Sequence, residues 1–205
     1  TFSPEPSNSD LNPTLADLDK DGDADLLLGG YYLGDPGPPV LPSLFYYKQV
    51  SPGNFVQQTG TFDRALQTGN PFEGFYDNET QPIFVDIDND SDMDLLVGDG
   101  DGDQYYPNPN NIIHFLENTG NSVFEEHRDL ANPFGGVDVK RDASPVLLDL
   151  DGDDDLDALI GHKYDDYFLD YNTPVHYVYE DGKFIRQKIG DSAFGRIELA
   201  GTLTP

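Results

Sequence analysis

The chain has 205 residues, 37% of them hydrophobic, with 39 acidic against 11 basic residues and a formal net charge of -28. This length suits one or two domains with a sizeable core, and so few scattered Lys and Arg residues exclude a phosphate-backbone partner such as nucleic acid. Cysteine is absent, which excludes a disulfide scaffold, a thiolate metal site and a cysteine nucleophile together, and no apolar run is long enough to predict a membrane span.

The first predicted element is the short strand Pro13-Thr-Leu-Ala, which enters a loop with Asp at every second position: Asp17, Asp19, Asp21, Asp23 and Asp25. Leu26-Leu-Leu-Gly-Gly follows, a branched-aliphatic run ended by Gly that reads as a buried strand. After a variable loop carrying Tyr31 and Tyr32 come an aromatic strand, Leu44-Phe-Tyr-Tyr-Lys, a turn at Ser51-Pro-Gly-Asn54 and a fourth strand, Phe55-Val-Gln-Gln. The Gly and Asn of that turn supply the positive φ angles that a hairpin needs.

The same order returns twice, with the loops spaced by 69 and then 63 residues. In the second unit Pro82-Ile-Phe-Val leads into Asp86, Asp88, Asp90, Asp92 and Asp94. Leu95-Leu-Val-Gly, a loop with Tyr105 and Tyr106, Ile113-His-Phe-Leu-Glu, the turn Asn118-Thr-Gly-Asn121 and Val123-Phe-Glu-Glu complete it. In the third, Pro145-Val-Leu-Leu precedes Asp149, Asp151, Asp153, Asp155 and Asp157. Ala158-Leu-Ile-Gly, a loop with Tyr164 and Tyr167, Val175-His-Tyr-Val-Tyr-Glu, the turn Asp181-Gly182 and Phe184-Ile-Arg-Gln then follow. Four antiparallel strands per unit predict an all-β chain of three four-stranded propeller blades, over about 13–70, 82–133 and 145–192. The connectors repeat as Asn70-Pro-Phe, Asn132-Pro-Phe and Ser192-Ala-Phe, and 193–205 reads as a connector toward a fourth blade or a partner.

Sixteen of the 39 acidic residues lie within the three loops, so about half of the charge excess is local. Carboxylates this crowded repel one another strongly, and a hard divalent cation is the counter-charge that suits them. Calcium takes six to eight oxygens at roughly 2.3–2.6 Å, which carboxylates at loop positions 1, 3, 5 and 9 and a backbone carbonyl at position 7 can supply. The EF-hand is excluded, because position 12 holds Leu28, Val97 and Ile160 where that motif needs a bidentate Glu. About three calcium ions, one per repeat, are therefore expected, each structural: a loop that closes its own coordination sphere leaves no open position for a substrate. Gly98-Asp-Gly-Asp-Gly-Asp103 reads either as a further site or as a flexible acidic loop.

These residues resemble the FG-GAP or VCBS repeat family, the calcium-binding blades of integrin α-subunit propellers and of many secreted microbial proteins. The likeness covers nearly the whole chain and rests on Phe134-Gly and Phe194-Gly, the Asp-x-Asp-x-Asp-x-x-x-Asp loops and the apolar strands closing in Gly. It implies ligation by Asp17, Asp19, Asp21 and Asp25 with the carbonyl of Asp23, and by the matching positions of the other loops. Position 6 of the family loop is usually Gly; here it is Gly22, Ser91 and Asp154, which makes loop 2 the expected weak binder. Family propellers have seven blades, whereas three are too few for a closed ring.

Function is expected to be non-catalytic, in an extracellular or cell-surface setting where calcium is abundant. His114, His127, His162 and His176 show neither metal-ligand spacing nor a triad pattern. The six loop tyrosines either hold a protein or carbohydrate ligand or pack their own loops onto the blades. The alternatives are self-association through exposed blade edges into a filament or sheath, and a non-catalytic propeller attached to a secreted enzyme.

Overall fold

The computed structural model describes residues 11–30, 43–66, 68–75, 80–98, 113–128, 131–137, 141–150, 152–163 and 174–187. They form three four-stranded antiparallel sheets, each a meander in chain order. The first contains β1 (Asn12–Ala16), β2 (Asp25–Gly29), β3 (Leu44–Ser51) and β4 (Asn54–Gln57). The second contains β5 (Gln81–Val85), β6 (Asp94–Gly98), β7 (Ile113–Asn118) and β8 (Phe124–His127). The third contains β9 (Arg141–Leu148), β10 (Asp157–Lys163), β11 (Val175–Glu180) and β12 (Lys183–Arg186). The all-β, blade-like architecture expected from the repeat is thus present, and each predicted strand coincides with an observed one to within a few residues. The largest difference is at β9, which begins at Arg141 because β10 extends to Lys163 and pairs with it past an irregularity in register.

The sheets pack with their first strands side by side, β1 against β5 and β5 against β9. The glycines ending β2 and β6 have a physical reason in this packing. A Cβ on Gly29 would lie 2.4 Å from both Pro82 Cδ and Thr80 O, and one on Gly98 would lie 1.8 Å from Ala143 O. No other residue lets the next blade approach so closely.

Two apolar clusters fill the junctions between blades. Leu27, Leu44 and Tyr46 of the first sheet meet Leu95, Val97 and Leu116 of the second around Phe72. Leu96 and Phe115 of the second meet Ala158, Ile160, Tyr177 and Phe184 of the third around Phe134. Phe72 and Phe134 are the repeated connector phenylalanines, each 2% exposed. Phe72 lies 4.7 Å from the Phe124 ring, and Phe134 stacks on Phe184 at 4.1 Å. The preceding Asn fixes each one. Asn70 Nδ2 donates to Leu44 O at 3.1 Å while its Oδ1 accepts from Phe72 N at 3.0 Å. Asn132 does the same with Ile113 O at 2.8 Å and Phe134 N at 2.8 Å. The connector is therefore a plug tied to the third strand of its own blade and buried against the next.

Candidate metal centres

Each Asp loop joins the first and second strands of its sheet and is shaped by its own carboxylates. The position 1 Asp accepts two amides from across the loop. Asp17 takes Asp21 N at 3.0 Å and Gly22 N at 2.9 Å; Asp86 takes Asp90 N at 3.1 Å and Ser91 N at 3.0 Å; Asp149 takes Gly152 N at 2.6 Å and Asp154 N at 3.4 Å. The position 5 Asp accepts the amide two residues on in every loop, at 3.0, 2.8 and 3.0 Å. Positions 4 and 6 both turn through positive φ: Lys20 and Gly22, Asn89 and Ser91, Gly152 and Asp154. Ser91 and Asp154 thus adopt positive φ as Gly22 does, and loop 2 repeats the position 1 and position 5 hydrogen bonds of loop 1 despite its serine. The hairpin turns follow the same chemistry, with positive φ at Gly53, Gly120, Asn121, Asp181 and Gly182.

Among the described residues, the carboxylates of Asp17, Asp19 and Asp21, and those of Asp86, Asp88 and Asp90, lie within 4.8 Å of one another in arrangements that could hold a metal ion. These are positions 1, 3 and 5 of loops 1 and 2. In loop 3, Asp151 lies outside the described residues; Asp153 accepts the position 7 amide as its counterparts do, whereas Asp149 keeps the position 6 amide but takes that of position 4, Gly152, in place of position 5. Asp23 and Asp92 occupy position 7, where the carbonyl and not the carboxylate was the expected ligand. Lys20 takes the Asp92 side chain, Nζ to Oδ1 at 2.5 Å.

Position 9, which is outside these two clusters, has a role that the repeat pattern did not disclose. Asp25, Asp94 and Asp157 are 1%, 1% and 2% exposed and tie the loop to the sheet. Asp94 accepts Ile87 N at 3.1 Å and Asn118 N at 2.8 Å, linking its loop to the end of β7. Asp25 accepts Gln49 N at 2.9 Å and the Tyr46 hydroxyl at 2.6 Å, and Asp157 accepts Leu150 N at 3.0 Å. The hydroxyl of Tyr46 was the missed partner. Its place among the alternating aromatics of the third strand was visible, but which ring carries an oxygen toward the loop depends on the pairing of Leu27 with Tyr46.

The donor set fits a hard cation in two independent respects. All its side-chain atoms are carboxylate oxygens, and Asp19 Oδ1 is buried without a hydrogen-bond partner, a costly condition for a charged group. Burial, opposed by the two amides, pushes the Asp94 carboxyl from 3.8 up to about 6; burial also raises Asp25 and Asp88. A folded-state pKa above the unfolded value means that the native state takes up a proton. That contribution to stability is complete below about pH 4 and is lost as pH rises through about 6. Metal-free protein is therefore expected to gain about 1 kcal/mol from Asp94 between pH 7 and pH 5. Urea denaturation at the two pH values checks this, and an unchanged or falling midpoint on acidification contradicts it.

The remaining sequence-predicted residues lie elsewhere. Tyr31, Tyr32, Tyr105, Tyr106, Tyr164 and Tyr167, residues 99–103 of the second acidic segment and the connector 193–205 fall outside the described residues. His114 sits 3.1 Å from Glu126 and His127 2.6 Å from Glu117, both within the second sheet, and His176 is buried in the third. No described helix is long and apolar enough to cross a membrane. Comparison with models of known protein families gives no match for this chain, and comparison with curated proteins gives none either.

Proposed function

We propose that the chain is a run of calcium-stapled propeller blades of the FG-GAP or VCBS kind, acting in an extracellular or cell-surface protein as an adhesive, ligand-binding or structural module and not as an enzyme. The observation that carries this reading is the congruence of the three loops: the position 6 amide on the position 1 carboxylate, the position 7 amide on the position 5 carboxylate, the same pair of positive φ angles and the same buried position 9 carboxylate, each at the same end of its sheet. Calcium would be held by positions 1, 3, 5 and 9 and the position 7 carbonyl of each loop. When bound it supplies charge neutralisation and a rigid hairpin.

The ligand class that suits the tyrosine-bearing loops is a protein surface or a carbohydrate, both of which use aromatic faces. A glycan and protein array probed with calcium-loaded protein is expected to show binding that Tyr105→Ala with Tyr106→Ala weakens at least tenfold. Binding unaffected by that change contradicts the loops' role.

A second reading, assembly through the first blade, is favoured by one comparison. Pro82 and Pro145 are buried where their strands meet the preceding blade, whereas Pro13 is exposed and Leu15 is 58% exposed. A further blade or another copy of the chain would cover them. A strictly monomeric sedimentation profile in calcium counts against association between copies.

A further inference from the structure

In the first blade the third strand places a lysine against the metal loop. Lys48 Nζ bonds to Asp19 Oδ2 and lies 3.9 Å from Asp21 Oδ2, so it meets two of the three clustered carboxylates. Strand register identifies its counterparts. The residue after the last loop Asp pairs with Tyr47, Leu116 and Tyr177 in the three sheets, and the next residue along is Lys48, Glu117 and Val178. One address thus carries a cation, an anion and an apolar group. Glu117, which also meets His127, acts electrostatically on Asp88, the loop 2 counterpart of Asp19.

Resting on the calcium reading above, we propose that Lys48 is a tethered counter-ion competing with calcium for loop 1, so that this loop is the weak site of the three and keeps its shape when calcium is withdrawn. The ammonium and a calcium ion both seek Asp19 and Asp21, and like charges at such range exclude one another. Lys48 is held at this address by the pairing of β3 with β4, opposite Val56, and its side chain is 26% exposed. Lys20 does not share the task, since its ammonium reaches across to Asp92 of loop 2. Loop 2 has Glu117 at the address where loop 1 has Lys48, and the lysine that reaches loop 2, Lys20, bonds the position 7 side chain and none of the three clustered carboxylates. The order is then the reverse of that expected from position 6, because Ser91 already holds the turn that Gly22 holds.

The test is a calcium titration of the full chain followed by nitrogen-proton correlation spectra, reading the amides of Gly22 and Ser91, which occupy the same position in loops 1 and 2. In the wild type Ser91 is expected to saturate at calcium at least about tenfold below that needed for Gly22, even with strong screening. In Lys48→Met the Gly22 transition should move at least about tenfold lower while Ser91 stays in place, and Lys48→Arg should behave as wild type. The reciprocal Glu117→Lys should weaken the Ser91 transition by a similar factor, and it decides the matter if Lys48→Met folds poorly. Both loops binding calcium, with Gly22 indifferent to Lys48→Met and Ser91 indifferent to Glu117→Lys, overturns the proposal and leaves the calcium reading standing. No calcium-dependent shift at Gly22 or Ser91 in any variant overturns both.

Discussion

Withdrawal of calcium is expected to remove roughly 5–8 kcal/mol of stability. At a free concentration about a hundred times the dissociation constant, one site that exists only in the folded state contributes about 2.7 kcal/mol, and three independent sites contribute about 8 kcal/mol. A weaker first loop lowers the sum toward 5. The whole stability margin of a domain is about 5–15 kcal/mol, so chelated protein should lie close to the unfolding threshold. With roughly 2–4 °C per kcal/mol at this chain length, calorimetry should find the melting temperature at least about 10 °C lower in chelator than in calcium. Magnesium should restore little of the difference, because it demands tighter octahedral geometry and gives up water reluctantly. Equal melting temperatures with and without chelator would remove calcium from the stability of the fold.

Asp94→Ala is expected to be the most damaging single loop substitution in the presence of calcium, at about 3–5 kcal/mol. Two amides, the half-buried Ile87 N and the buried Asn118 N, lose their acceptor, and each such loss costs about 1–3 kcal/mol. On the proposed reading a calcium ligand is lost as well. Without calcium the balance changes. The carboxylate that carries the burial penalty at neutral pH is also gone, so the same substitution should cost only about 0–2 kcal/mol in chelator. Urea denaturation in both buffers provides the comparison. A cost that is equal in calcium and in chelator would make Asp94 a hydrogen-bonding residue alone.

The blades were legible in the sequence because each level of the signal agreed with the others. Branched-aliphatic runs ended by Gly, Asp loops, turn residues and the connector Phe recur in register, and those within the described residues found their place. The glycines closing β2 and β6 were legible as strand ends, but their reason was not: the clash of any Cβ with Thr80, Pro82 and Ala143 is a contact between blades. The same limit applied to the site. Alternating Asp residues announce ligands at positions 1, 3, 5 and 9, whereas Lys48 and Glu117 lie more than twenty residues from their loops and meet them only through strand pairing. The amide-binding role of position 9 was hidden for a related reason, since an Asp that binds an ion and an Asp that binds amides look identical in a repeat.

Whether calcium occupies the three loops is decided by a count of bound ions. Equilibrium dialysis of the purified chain against calcium, followed by elemental analysis, is expected to find about three ions per chain at saturation, falling to about two in a variant with Asp86 and Asp88 both changed to Ala. A chain that retains no calcium above the dialysis buffer, at concentrations up to about ten millimolar and well beyond the weakest affinities of extracellular modules, would contradict calcium occupancy of the loops.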